Sequence, residues 1–142
     1  MKPVSELLKR RDSTTFKVGP DATVFEGLKL LAHHGVGAML VMQDETLIGI
    51  FSERDYTRKI ALEGKNSHSV RIAEIMTSQI VSVTPSTGTR VCMTLMSQKR
   101  IRHLPVIEGD RVLGLISMRD IMDDIITDHE QTISQLQSYI QG

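Results

Sequence analysis

The sequence predicts a mixed α/β (α+β) fold in which two β-α-β-β-α repeats pack as one pseudo-twofold module. Three observations carry that expectation. The segment Gly49-Ile50-Phe51-Ser52-Glu53-Arg54-Asp55 returns, 65 positions on, as Gly114-Leu115-Ile116-Ser117-Met118-Arg119-Asp120. At the same offset residues 16–60 lie over 81–125 without a gap, with Val18 on Val83, Pro20 on Pro85, Leu30 on Leu95 and Val41 on Val106. Finally, 142 residues make one compact domain, and a single repeat buries too little surface to stand alone.

Taken in order, each copy opens on a short β stretch, Phe16-Lys17-Val18 or Ile80-Val81-Ser82-Val83, and turns at Pro20 or Pro85. A helix follows in which Val24, Leu28 and Leu31 stand at i, i+4 and i+7, the spacing of a core-facing stripe. Val91, Leu95 and Met96 are expected to face the core in the second copy. Two apolar strands come next, 38–42 with 47–52 and 103–107 with 112–117. The polar turns Gln43-Asp44-Glu45 and Glu108-Gly109-Asp110 close them into hairpins. A second helix starts after Ser52 and after Ser117.

The boundaries drawn from this pattern are an N-terminal segment 1–15, a first repeat 16–62, a linker 63–79, a second repeat 80–127 and a helical extension 128–142. The polar centre of the linker, Glu63-Gly64-Lys65-Asn66-Ser67-His68-Ser69, reads as exposed and mobile. In the last helix Met122, Ile126, His129, Ile133, Leu136 and Ile140 recur every three or four residues, close to the 3.5-residue period of a helix seam. The seam points to a homodimer. A helix folded back on its own domain is the competing reading.

Composition removes several function classes. Hydrophobic residues make up 40% and charged residues 24%, as in ordinary globular proteins. Lys plus Arg and Asp plus Glu number 17 each, and this balance argues against general nucleic-acid binding. No apolar run approaches the ~20 residues of a membrane span, and Met1-Lys2-Pro3-Val4-Ser5-Glu6 has no apolar signal region. The expectation is no membrane and a cytoplasmic location. Cys92, the single cysteine, excludes an internal disulfide and reads as core filler within Val91-Cys92-Met93-Thr94-Leu95-Met96. The histidines His33, His34, His68, His103 and His129 follow no metal-site spacing, and no P-loop, Rossmann glycine run or nucleophile elbow occurs. No catalytic residue and no metal ligand are assigned, and the chain is read as a non-enzyme.

The repeated Gly-to-Asp run carries the chemistry. Gly49 and Gly114 let another group approach the strand closely. Ser52 and Ser117 stand where a strand hands over to a helix, a place where free N–H groups and the helix dipole favour an anion. Asp55 and Asp120, three residues on, offer carboxylates whose two oxygens suit the vicinal hydroxyls of a ribose. A second reading stands beside this one. Ser-x-x-Asp at a helix start approximates a capping box, and a duplicated gene inherits its cap twice. Arg54 and Arg119 suit phosphate or an exposed helix face equally. The copies differ where the middle strand begins: Gly35-Val36-Gly37-Ala38 in the first, Arg100-Ile101-Arg102-His103 in the second. The latter is a phosphate-binding cluster or a solvated basic turn.

The run Gly-apolar-apolar-Ser-x-Arg-Asp in both copies, with His103-Leu104-Pro105-Val106-Ile107 and Ile75-Met76-Thr77, resembles the CBS domain family over about residues 16–126. The resemblance implies a regulatory pair of repeats with two clefts between them that take adenosyl nucleotides. It implies ribose contacts from Asp55 and Asp120 and places Ser52, Arg54, Ser117 and Arg119 beside the ligand. It sets Arg102 and His103 against the phosphate of a nucleotide whose ribose rests on Asp55. The adenine slots fall near Thr15, Phe16, Lys17 and Val18 with Gly37 and Ala38, and near Ile80 to Ser82 with His103 and Leu104; Thr77 joins the set. The expected ligand is AMP, NAD(H) or ADP/ATP, with no required cofactor, and output passes through a separate protein target. A ligand-free docking module for an enzyme or transporter is the alternative.

Overall fold

The computed structural model describes residues 2–10 and 16–141. Its elements are helix α1 (Val4–Arg10), strand β1 (Lys17–Val18), helix α2 (Val24–His34), strands β2 (Ala38–Gln43) and β3 (Thr46–Ser52), and helix α3 (Glu53–Tyr56), which widens into a π-helical stretch over Thr57–Ala61. Helix α4 (Ile72–Ile75), helix α5 (Thr89–Lys99), strands β4 (His103–Glu108) and β5 (Arg111–Ser117) and the long helix α6 (Met118–Gln141) complete it. The fold is the mixed α+β pair of repeats that the sequence predicts.

The repeat holds down to the hydrogen-bond register. β2 pairs antiparallel with β3 from Ala38 opposite Ser52, and β4 pairs with β5 from His103 opposite Ser117. Both hairpins carry a bulge at the same place, after Val41 and after Val106. Both turn through a residue with positive φ, Asp44 at 55° and Gly109 at 60°.

The first strand differs between copies for a covalent reason. β1 lies parallel to β2, and the Leu40 N–H donates to the Phe16 carbonyl at 3.2 Å. The residue matching Leu40 is Pro105, which has no N–H to give. The second copy keeps only the bridge of Val83 to Val106.

Capping differs too. Thr23 and Glu26 close a reciprocal capping box on α2, and Gly35 ends that helix with φ 66°. The matching positions on α5 are Gly88 and Val91, which supply no side-chain cap. The expectation for Val91 is therefore corrected. It is 53% exposed, whereas Thr89, Cys92 and Met96 are buried and Leu95 is half-buried. Val91 stands where the first copy has the capping Glu26, on the solvent side of the helix.

Each repeat's core is completed by the helix that precedes the other repeat. Val4 and Leu7 of α1 pack with Val83, Cys92, Met96, Leu104 and Ile121 of the second repeat. Ile72 and Ile75 of α4 pack with Val24, Leu31, Val41 and Phe51 of the first. Matching hydrogen bonds hold both: the Val4 N–H donates to the Thr87 carbonyl at 2.8 Å and the Ile72 N–H to the Ala22 carbonyl at 2.9 Å. A third cluster, Ala38, Leu40 and Leu115 with Met42, Leu47, Ile50 and Val112, joins the two hairpins face to face. Residues 63–66 of the linker are exposed, in keeping with its polar composition.

Candidate functional site

Two clefts open between the repeats. The first, ≈ 760 Å³, is lined by Ser52, Arg54, Asp55, Lys59, Thr77, Ile80 and Val81 on one side and by Lys99, Arg100, Ile101, Arg102 and His103 on the other. The second, ≈ 990 Å³, takes Ser117, Arg119, Asp120, Met122 and Ile126 on one side and Phe16, Val36, Gly37 and Ala38 on the other. Gly37, Arg102 and His103 line both, because they sit where the two middle strands begin and face each other. A Cβ built on Gly37 would lie 3.7 Å from the His103 ring, in ordinary contact.

Both Ser–Asp pairs are capping boxes and cleft walls at once. The Asp55 N–H donates to Ser52 Oγ at 3.1 Å, while the Ser52 N–H and Oγ donate to Asp55 Oδ2 at 3.1 and 3.0 Å. Asp55 Oδ1 accepts from Thr77 Oγ1 at 3.1 Å and pairs with Lys59 Nζ at 3.3 Å, and the residue is only 7% exposed. In the second copy the Ser117 N–H donates to Asp120 Oδ2 at 2.8 Å and the Asp120 N–H to Ser117 Oγ at 3.1 Å. One oxygen of Asp55 is thus spent on the helix, and the other is aimed at the cleft among hydrogen-bonding groups.

Thr77 reaches Asp55 because its own backbone adds to the edge of β3. The Ile50 N–H donates to the Thr77 carbonyl and the Thr77 N–H to the Ile50 carbonyl, each at 2.9 Å. This crossing is what demands Gly49. A Cβ there would stand 2.6 Å from Met76 Sδ and 3.1 Å from the Thr77 carbonyl oxygen. The group that approaches the glycine is the linker itself.

The expectation of free N–H groups at the two helix starts is corrected. The Glu53 N–H donates to the Gly37 carbonyl at 3.0 Å and the Met118 N–H to the Arg102 carbonyl at 2.9 Å. With the serine bond counted, two of the first three N–H groups of each helix are already taken. Anion binding here depends on side chains.

Those side chains are distributed unequally. Among the described lining residues the first cleft has six cationic side chains, Arg54, Arg58, Lys59, Lys99, Arg100 and Arg102, against Glu53 and Asp55. The second sets Arg102 and Arg119 against Asp120 and Asp123. Arg54 spans the first cleft, its Nη1 donating to the Arg100 carbonyl at 2.7 Å. Arg119 lies on the surface, 88% exposed, 4.0 Å from Asp123. Lys17 and Val18 line neither cleft: Val18 is buried in the first core, Lys17 is exposed, and Phe16 supplies the wall. Thr15 lies outside the described residues. Lys59 escaped the sequence reading, although its position four residues after Asp55 on one helix face is the signal that could have found it.

A family model described as the CBS domain matches residues 4–62 and 72–127, about four-fifths of the chain. The chain belongs to the CBS domain family. Within this CBS pair the two matches begin at Val4 and at Ile72, the first residues of the exchanged helices α1 and α4. The mitochondrial CBS domain-containing protein CBSX3 of Arabidopsis thaliana is 34% identical, over 98% of this chain and 72% of its own. A CBS-domain protein from Burkholderia ambifaria MC40-6 superposes with a TM-score of 0.87 at 41% identity, over 89% of this chain and 96% of its own. The CBS domain structure of NE2398 gives a TM-score of 0.84 at 40% identity, over 88% and 98%. CBS pairs are regulatory, signal-transduction modules. Among the described residues no helix is long and apolar enough to cross a membrane, and no cluster of His, Cys, Asp and Glu could hold a metal ion.

Proposed function

We propose that this CBS pair senses adenosyl nucleotides of the AMP, NAD(H) or ADP/ATP class and passes the signal to a separate protein in the cytoplasm without catalysing a reaction. The observation that carries the reading is the first cleft. A nearly buried carboxylate lies there beside a hydroxyl and a lysine whose Nζ also donates to the Ile75 carbonyl at 2.8 Å, under a wall of cations with few acids. The ribose diol takes the place of Lys59 and Thr77 at Asp55 Oδ1, while the Lys59 ammonium keeps its bond to the Ile75 carbonyl. Arg54, Arg100 and Arg102 complete the phosphate pocket, with Arg102 suited to bidentate contact. Ile80 and Val81 offer an apolar edge to the base.

The second cleft, with balanced charge and walls from Phe16, Met122 and Ile126, suits the adenosyl group of a less anionic compound. The CBS pair of protein MJ0100, alike in fold at 20% identity and a TM-score of 0.78, forms a complex with 5′-methylthioadenosine and S-adenosyl-L-methionine, which supports the adenosyl class.

A thermal-shift series with AMP, adenosine and 2′-deoxy-AMP tests the proposal. A ligand at 100 times its Kd stabilises the native state by about 2.7 kcal/mol. AMP should raise Tm, and 2′-deoxy-AMP should need at least about tenfold more ligand for the same shift. No shift from any adenine nucleotide, or equal shifts from ribose and deoxyribose forms, overturns it.

A further inference from the structure

Helix α6 leaves its own domain. Its first turns are fastened by Lys2 Nζ, which pairs with Asp128 at 2.7 Å and Asp124 at 3.3 Å, and by Ile121 in the second core. From His129 onward every described side chain is exposed. Along it Met122, Ile126, Ile133, Leu136 and Ile140 are between 52% and 81% exposed. Together with His129 they form one stripe, which starts on the wall of the second cleft, since Met122 and Ile126 line it.

Two features of the stripe select its partner. Its intervals are four, three, four, three and four residues, a sequence that reads the same in both directions. An antiparallel copy therefore sets Met122 against Ile140, Ile126 against Leu136 and His129 against Ile133, each match made twice about a twofold axis. The acids of α6 are Asp120, Asp123, Asp124, Asp128 and Glu130, and residues 131–141 carry none. Parallel pairing would set Asp123 and Glu130 against their own copies, since Asp124 and Asp128 are paired with Lys2 and Asp120 accepts from Ser117 at its own helix start. The antiparallel arrangement lays each acidic half on an uncharged one.

We infer that a second copy of this chain pairs with α6 in antiparallel orientation, and that the last turns of the partner's helix complete the wall of the second cleft at Met122. The inference rests on the nucleotide reading only for what the cleft then holds.

Two measurements on the full chain decide it. Single variants Ile126→Cys and Leu136→Cys, mixed and oxidised, should give a crosslinked heterodimer, while neither gives a crosslink alone; buried Cys92 adds no background. A crosslink within Ile126→Cys alone means parallel helices and overturns the inference, as does a wild-type monomer by sedimentation. Next, Leu136→Glu, at a position 57% exposed in the single chain, should halve the sedimentation mass and raise peroxide oxidation of Met122, read by peptide mass spectrometry, at least about threefold. Unchanged Met122 oxidation on dissociation overturns the shared cleft wall. Neither measurement involves a nucleotide, so failure of AMP to bind would remove the sensing function and leave this pairing in place.

Discussion

Asp55 has a divided task, one carboxylate oxygen on the helix cap and the other toward the cleft with Thr77 and Lys59. The division predicts a crossed pattern of losses. Asp55→Ala removes the ribose acceptor and also a negative charge from a cationic cleft, so adenosine binding should fall at least about tenfold and AMP binding less. Folding stability should drop by about 1 kcal/mol through the lost Ser52 N–H bond to Asp55 Oδ2, one half of the capping box. Arg102→Ala should do the reverse, weakening AMP several-fold more than adenosine. Titration calorimetry on both ligands reads the pattern, and parallel losses would contradict it. Cys92 is the other residue whose surroundings set its chemistry. Burial pushes its thiol above the ordinary value of 9.0. The folded state therefore holds the thiol proton more tightly than the unfolded chain. The stabilisation is complete below pH 9.0 and is lost as pH rises through the raised folded value. Urea melts from pH 7 to 10 should show this decline in the wild type and a smaller one in Cys92→Ala.

At the scale of elements, the end of α5 trades stability for charge. Arg100 occupies the left-handed region, φ 55° and ψ 44°, where the first copy has Gly35. That conformation costs an arginine about 1 kcal/mol. It places a cation at the mouth of the first cleft and turns the Arg100 carbonyl to Arg54. Arg100→Gly should raise stability by about 1 kcal/mol in urea unfolding and weaken AMP several-fold. A variant that is no more stable would show that the helix end carries no strain. The same element shows where the one-sided apolar pattern misled. Val91, Leu95 and Met96 read as a core face, but Val91 inherits the outward position of Glu26, and the offset between copies predicts this better than hydrophobicity does.

For the whole molecule, the exchange of α1 and α4 ties each repeat's core to the segment that precedes the other repeat. Leu7, 4% exposed, belongs to the second core although it precedes the first repeat in sequence. Leu7→Ala should cost about 2–4 kcal/mol. The first amides to lose hydrogen-exchange protection should be those of β4, β5 and α5; uniform loss over β2 and β3 would argue against the exchange. The exchange was hidden in the sequence because the spacing changes. Val4 to Val18 runs three residues longer than Ile72 to Val83, so the gapless offset stops short of both helices.

The sequence alone determined the duplicated order of elements, the hairpin turns, the burial of Cys92 and the place of the Ser–Asp pairs at the starts of two helices. These follow from local rules, because periodicity, turn chemistry and internal repetition are written along the chain. Tertiary structure decided what lies beside what. It put Thr77 on Asp55, spent the helix N–H groups on Gly37 and Arg102 carbonyls, explained Gly49 by a crossing linker, and gave one cleft an excess of cations. Such neighbours come from segments far apart in sequence, which no local pattern encodes.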